Sequence, residues 1–263
     1  MQLYFIRHAQ PYNNALYDST GSDRGRRYDP QLTETGQKQV EVLAQFLKNN
    51  HGPVKSPVEP QAASFENRTT SFGHDPQNLA GYGLTHLYTS LMQRATATAW
   101  AVAQALDLPL TAWVDLHEGG GLYLNDEVTG EPASLPGPGR TDFQAHFPNL
   151  QLPAWLDEQG WWLRPYETRP ERSLRAHRVL DELLARHANT DHRVAFFSHG
   201  GFYNHFLTAL LNLPSNEGLW FSLNNTAITR IDFTDELRLV YLNRLDFMPV
   251  SYTHLTLPTI YSV

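Results

Sequence analysis

Cysteine is absent from the 263-residue chain, which excludes a disulfide framework, a thiolate zinc site and a thiol nucleophile. Oxidising and reducing compartments stay equally open. A basic excess is lacking too: 20 Lys+Arg stand against 27 Asp+Glu, for a net charge of −7. That balance argues against broad binding to nucleic acid or anionic lipid, while leaving room for a small positive pocket. No segment has the roughly 18 apolar residues of a membrane helix. Met1–Ile6, followed at once by Arg7-His8, has neither the basic leader nor the small-residue cleavage site of a secretory signal. A cytoplasmic protein without nucleic-acid or membrane partners is expected. Nothing in the sequence reports on oligomeric state.

Apolar residues at 41% and charged residues at 18% describe an ordinary globular chain. Residues 2–6 read as a buried strand, and Thr33 caps a helix to about 49, with Val40, Leu43, Ala44 and Leu47 at helical spacing. Strands at 85–89, 111–114 and 193–198 alternate with helices at 91–106, 171–187 and 201–211. On the helix at 171–187, Leu174, Val179, Leu180, Leu183 and Leu184 form the expected apolar side. Strands at 219–223, 226–233 and 237–242 close the chain, with Asn224-Asn225 as a turn between the first two. The pattern predicts an α/β three-layer sandwich: a mainly parallel sheet with helices on both faces and some antiparallel pairing at one side.

One domain over 1–249 is expected, carrying two insertions without periodicity, near 51–83 and 119–170. Val250–Thr259 reads as an in-frame translation of a sequencing-library adapter, so 250–263 is expected to be a non-native tail, with a genuine Thr-rich tail as the alternative.

Ligands of open α/β sheets gather at the carboxyl ends of the strands. The residues just past the predicted strands are Arg7-His8, then Ser90 with Arg94 one turn on, His117-Glu118, and His199-Gly200 at a helix start. Two Arg, two or three His and one Glu at one sheet edge compose a phosphoryl-transfer site. Arg supplies planar paired donors, the helix start adds N–H groups, an imidazole can attack phosphorus, and a carboxyl can protonate the leaving oxygen. Asp115, Asp126 and Glu127 lie close enough in sequence to serve in place of Glu118. His117-Glu118 is followed by glycines rather than a second spaced His, so no metal motif is present.

Arg7-His8-Ala9-Gln10 resembles the Arg-His-Gly opening of the histidine phosphatase superfamily, which includes the phosphoglycerate mutases. Leu32–Gln39 resembles its Leu-Thr-x-x-Gly-x-x-Gln helix start, Thr89–Ala99 its second Arg motif, Leu116-His117-Glu118 its acid-bearing segment and Ser198–Gly201 its last motif. Ala9 and Gln10 depart from the usual Gly and the frequent Glu. The resemblance implies a phosphoglycerate mutase-like fold and a metal-independent, cofactor-free phosphatase for a small phosphorylated metabolite. It implies His8 as the nucleophile that becomes phosphohistidine, with Arg7, Arg94 and His199 on the phosphoryl oxygens and Glu118 as acid, then base. Gly200 and Asn14 are added as substrate-binding candidates; Asn13 competes with Asn14 for that place. A mutase and a non-catalytic phospho-ligand binder are the alternatives.

Trp161-Trp162-Leu163-Arg164 and the basic Arg169, Arg172 and Arg175 read either as a lid over the phosphate or as a packed Trp pair beside a solvated helix face. Arg24, Arg26 and Arg27 could touch a second anionic group, or sit at the surface.

Overall fold

A strand buried on both faces reads as a continuous apolar run. Gln2–Arg7 (β1) has that composition and is buried up to its last residue. The computed structural model describes residues 1–52, 75–214 and 218–253. After β1 come Tyr12–Thr20 (α1), Glu34–Asn49 (α2), His86–Thr89 (β2), Gln93–Leu106 (α3) and Leu110–Ala112 (β3). A 3-10 turn at Val114–Leu116 leads to the hairpin Tyr123–Asn125 (β4) and Pro132–Ser134 (β5), then Arg140–His146 (α4) and Leu150–Gln151 (β6). The chain continues through Arg169–His187 (α5), Arg193–Ser198 (β7), Gly200–Leu210 (α6), Ile228–Phe233 (β8), Leu237–Arg244 (β9) and Val250–Thr253 (α7).

Among the described residues, seven strands form one sheet in the order β6-β3-β2-β7-β1-β8-β9. The first five are parallel, while β8 and β9 add antiparallel pairing at one side. Side chains of β1 alternate between two cores. Tyr4 and Ile6 join the side covered by α2 and α3, and Leu3 and Phe5 join the side covered by α5 and α6. This is the expected three-layer α/β arrangement. Among the described residues no helix is long and apolar enough to cross a membrane.

Thr33 accepts from the Gly36 N–H at 3.0 Å and starts α2 where the sequence places it. The expected strand at 219–223 does not form. Its backbone is held instead by side chains: Asn204 accepts from Phe221 N at 2.7 Å and donates to Phe221 O at 3.1 Å, and Arg7 donates to Leu223 O at 2.5 Å. On α5, Leu174 points to solvent and the neighbouring Arg175 is fully buried, reversing the expected inward set at that turn.

Of the first expected insertion, 53–74 lies outside the described residues. Residues near its end belong to the core: Tyr82 is buried and Asn78 donates to Tyr4 Oη at 2.8 Å. The second supplies the β4-β5 hairpin, α4 and the edge strand β6. Of the expected tail, 254–263 lies outside the described residues, and 250–253 form α7, whose Tyr252 carbonyl accepts from Gln39 Nε2 at 2.7 Å.

Candidate active site

Sheet register brings the chemistry together. Arg7 pairs with Ser198 across β1 and β7, so His8 and His199 emerge side by side, their rings 5.0 Å apart. Thr89 pairs with Phe197, which puts Ser90 beside His199. The Ser90 hydroxyl accepts from Met92 N at 3.2 Å and sits 2.7 Å from His199 Nε2. With the hydroxyl proton given to Nε2, His199 carries its own proton on Nδ1, which is buried and without a partner.

His8 is buried, with Nδ1 2.8 Å from the Ala9 carbonyl. That carbonyl can only accept, so Nδ1 holds the proton and Nε2 holds the lone pair. Arg94 Nε donates to His8 Nε2 at 3.2 Å. Burial, then Arg94 and Arg7, hold the His8 imidazole well below its usual pKa, so the ring is neutral and its lone pair available at pH 7. His199 is pushed the same way, again by burial first and then by Arg94.

The Arg7 guanidinium spans Leu223 O and Asn14 Oδ1 (3.1 Å), which leaves its buried Nε without a partner. Asn14 also accepts from Asn225 Nδ2 at 3.1 Å, and that amide donates to His8 O at 2.9 Å. Asn13 is occupied elsewhere, with both ends of its amide on the Arg27 backbone. The structure therefore puts Asn14 beside Arg7 and leaves Asn13 outside the site.

Glu118 lies across the start of α6. Its carboxylate accepts from Gly201 N at 3.0 Å and from Phe202 N and Gly119 N at 2.8 Å each. A helix N-terminus attracts anions through such unpaired N–H groups. Gly200 lies beside the Arg7 guanidinium, and Gly201 lies against this carboxylate. The competing acids face away: Asp115 pairs with Arg164 at 3.4 Å and Arg178 at 3.8 Å, and exposed Asp126 caps its own turn. Glu127 is exposed.

The Leu32–Gln39 motif has a clear physical task. Thr33 donates to Gln10 Oε1 at 2.8 Å, Gln39 Oε1 accepts from Gln10 N at 2.8 Å, and a Cβ on Gly36 would strike the Gln10 carbonyl. Together they clamp the loop that follows His8. Ala9 donates from its N–H to Thr98 Oγ1 at 3.0 Å and is outside the left-handed region, so Ala fits where relatives have Gly.

Asp29 carries no signal in the sequence, and Arg175, expected in a lid or on a solvated helix face, is instead fully buried. Asp29 is buried 3.9 Å from Arg94, and its carboxyl is raised to about 6 by burial, against the pull of Arg94 and the Gln93 N–H. Arg175 forks onto Glu167 at 2.6 and 2.8 Å and donates to the carbonyls of Asp115 and His117, fixing the segment that carries Glu118. Neither belongs to a local motif; both act through contacts with distant segments. The Trp161-Trp162 pair is buried against His117, so it packs the second insertion rather than forming an open lid. Arg26 and Arg27 lie over the rings of Tyr123 and Tyr12.

The branch 1 model of the histidine phosphatase superfamily matches residues 76–244. The chain belongs to this superfamily. The matched span includes Arg94, Glu118 and His199, whereas Arg7 and His8 precede it. No curated protein sequence gives a significant match. Solved structures share the histidine phosphatase fold. Phosphoserine phosphatase from Entamoeba histolytica, in a mutant complexed with phosphoserine, is 18% identical, with a TM-score of 0.54 over 94% of this chain and 99% of that one. Mycobacterial glucosyl-3-phosphoglycerate phosphatase complexed with VO3 is 19% identical, with a TM-score of 0.52 over 92% and 98%. YhfR of Bacillus stearothermophilus is 16% identical, with a TM-score of 0.51 over 94% and 98%.

Proposed function

We propose that the protein is a phosphatase that hydrolyses a small phosphorylated metabolite through a phosphohistidine on His8. One observation carries this reading. A neutral, buried imidazole presents its lone pair to a guanidinium, with the orphaned Arg7 Nε and His199 Nδ1 close by. Orphaned buried donors are costly unless a ligand satisfies them, and a phosphoryl group has the oxygens to do so.

His8 Nε2 attacks phosphorus while the bond to the leaving oxygen breaks; Glu118, a carboxylate at rest, takes a proton from the arriving phosphate monoanion and passes it to that oxygen. Arg7, Arg94, His199 and the α6 N–H groups hold the non-bridging oxygens through the transition state, where their charge acts most. Water then gives a proton to the Glu118 carboxylate and attacks phosphorus, the P–N bond breaks, and inorganic phosphate leaves with His8 neutral again. Glu118 now rests on the N–H groups the phosphoryl group would use. Arrival of substrate therefore displaces it towards the leaving oxygen.

Hydrolysis is favoured over a mutase. A mutase needs a second anionic subsite; of the loop cations Arg24, Arg26 and Arg27, the last two rest on aromatic rings and Arg24 is exposed at the surface. Phosphoserine and 3-phosphoglycerate, the compounds named with the structural neighbours, head the substrates to try. The test is phosphate release over these, sugar phosphates, nucleotides and phosphopeptides, in wild type and His8→Ala. Release by wild type alone, with acid-labile phosphohistidine in quenched enzyme, is expected. Equal release by both proteins overturns the reading.

A further inference from the structure

The opposite end of the sheet holds a second concentration of imidazoles. His86 opens β2, His187 closes α5 and His192 immediately precedes β7. They lie one strand length from the catalytic edge, about 13 Å for the four-residue β2. One ring nitrogen of each lies within 4.8 Å of those of the other two. His187 Nδ1 and His192 Nδ1 are 2.9 Å apart, and the His86 ring stands 4.3 Å from that of His192 and 4.8 Å from that of His187. His187 and His192 lie five residues apart across the turn from α5 to β7, while His86 comes from a distant segment that only the fold brings to them.

We propose that His86, His187 and His192 bind one zinc-class divalent transition-metal ion, which clips the end of α5 to the starts of β2 and β7. Three imidazoles with a fourth position open to water are a familiar zinc ligand set, and imidazole suits the later first-row metals in general. Nitrogens sharing a tetrahedral zinc lie about 3.3 Å apart, given bonds of 2.0–2.1 Å. The widest pair here has to close by about 1.5 Å, within reach of small ring rotations.

Neighbouring hydroxyls orient the rings as outer-shell partners do in metal sites. His187 Nε2 lies 3.1 Å from Tyr88 Oη, and His86 Nδ1 lies 2.8 Å from Thr85 Oγ1. Thr85 can give its proton to the Arg193 carbonyl and accept from His86 Nδ1, which frees His86 Nε2. In the metal-free pair, one Nδ1 of His187 and His192 carries the bridging proton. Ligation through both requires that proton to move to Nε2 of the same ring; in His187 the Tyr88 hydroxyl oxygen receives it as a hydrogen bond. No proton is lost in the exchange. The neighbouring cation Arg186 is paired with Glu182.

Tag-free protein titrated with Zn²⁺ by calorimetry, with Co²⁺ absorption as a second readout, tests this. One equivalent should bind, with the spectrum of a four-coordinate site, and a hundredfold excess over Kd should raise Tm by about 5–10 °C. His86→Ala and His192→Gln should abolish the saturable binding while melting cooperatively, and His8→Ala should bind as wild type does. Tyr88→Phe, which keeps the ring, should weaken binding about 10- to 100-fold and serves if a histidine variant fails to fold. Absence of saturable binding, its survival in both histidine variants, unchanged affinity in Tyr88→Phe, or its loss in His8→Ala overturns the proposal.

Discussion

Glu118 illustrates how one side chain can be held by backbone alone. Three N–H groups grip its carboxylate, Phe202 N and Gly119 N on Oε1 and Gly201 N on Oε2; an amide keeps the acceptor for the first pair, loses the bond to Gly201 and cannot shuttle a proton. Glu118→Gln should therefore still fold, with a loss of about 1–3 kcal/mol for the unpaired N–H, and lower kcat by about 10²–10⁴, the range of a lost general acid–base; steady-state kinetics beside a thermal melt checks both parts. Arg94→Lys should fare worse than its conserved charge implies, because Lys lacks the planar fork that meets His8 and leans towards Asp29 together. A fall in kcat/KM of about 10²-fold or more is expected. At this scale the sequence was most legible where residue type and strand-end position coincide, as for Arg7, His8, Arg94, Glu118 and His199. Asp29 and Asn225 were not legible, because nothing local distinguishes them from loop residues. Their positions follow from contacts with Arg94 and His8, which lie 65 and 217 residues away in the chain.

Elements matter here as clamps. The start of α2 grips Gln10 through Thr33, Gly36 and Gln39. Gly36→Ala drives a methyl into the Gln10 carbonyl and should cost about 1–3 kcal/mol, read as a shift in urea midpoint. It should also cut kcat/KM by on the order of 10², since a displacement of about 1 Å near His8 is enough for that. On α5, Arg175→Met leaves Glu167 buried without its partner and should destabilise by about 3–5 kcal/mol. Adding Glu167→Gln to it should recover part of the loss, which a double-mutant cycle would measure. The helix period correctly located α5 but named Leu174 as inward. Hydropathy assigns a charged residue to solvent, whereas Arg175 is buried because Glu167 and two carbonyls satisfy its guanidinium. The same blindness produced a strand at 219–223, whose apolar alternation is real but whose hydrogen bonds go to Asn204 and Arg7. Helix α1 gave no signal because it buries no residue at all.

At the scale of the whole molecule, buried histidines govern the response to acid. His8, His117 and His199 all have pKa values held well below the ordinary 6.5, chiefly by burial. As pH falls below about 6.5 the unfolded chain binds protons that the folded chain refuses, so stability falls. Asp29, raised to about 6, acts in the opposite sense, since its folded form takes a proton first. The histidines outnumber it, His187 at about 4 among them, so stability is expected to fall between pH 6 and pH 5, visible as a lower urea midpoint. A flat or rising midpoint over that interval would contradict it. The layered α/β architecture was legible from strand and helix alternation, while strand order was not, because it depends on pairings far apart in sequence.

Strand β1 lies inside the sheet, bonded to β7 on one side and β8 on the other. Both partners are made late: β7 begins at Arg193 and β8 at Ile228. The residue proposed to attack phosphorus thus leaves the ribosome well before the two strands that lock it in place. Pairings of such long reach form slowly, and domains fold as units once their chain is complete. An unfinished chain is accordingly inert: it carries His8 from the outset but has neither the strand that aligns His199 beside it nor the turn that returns Asn225 to its backbone. Competence arrives in one step, once β8 has been made.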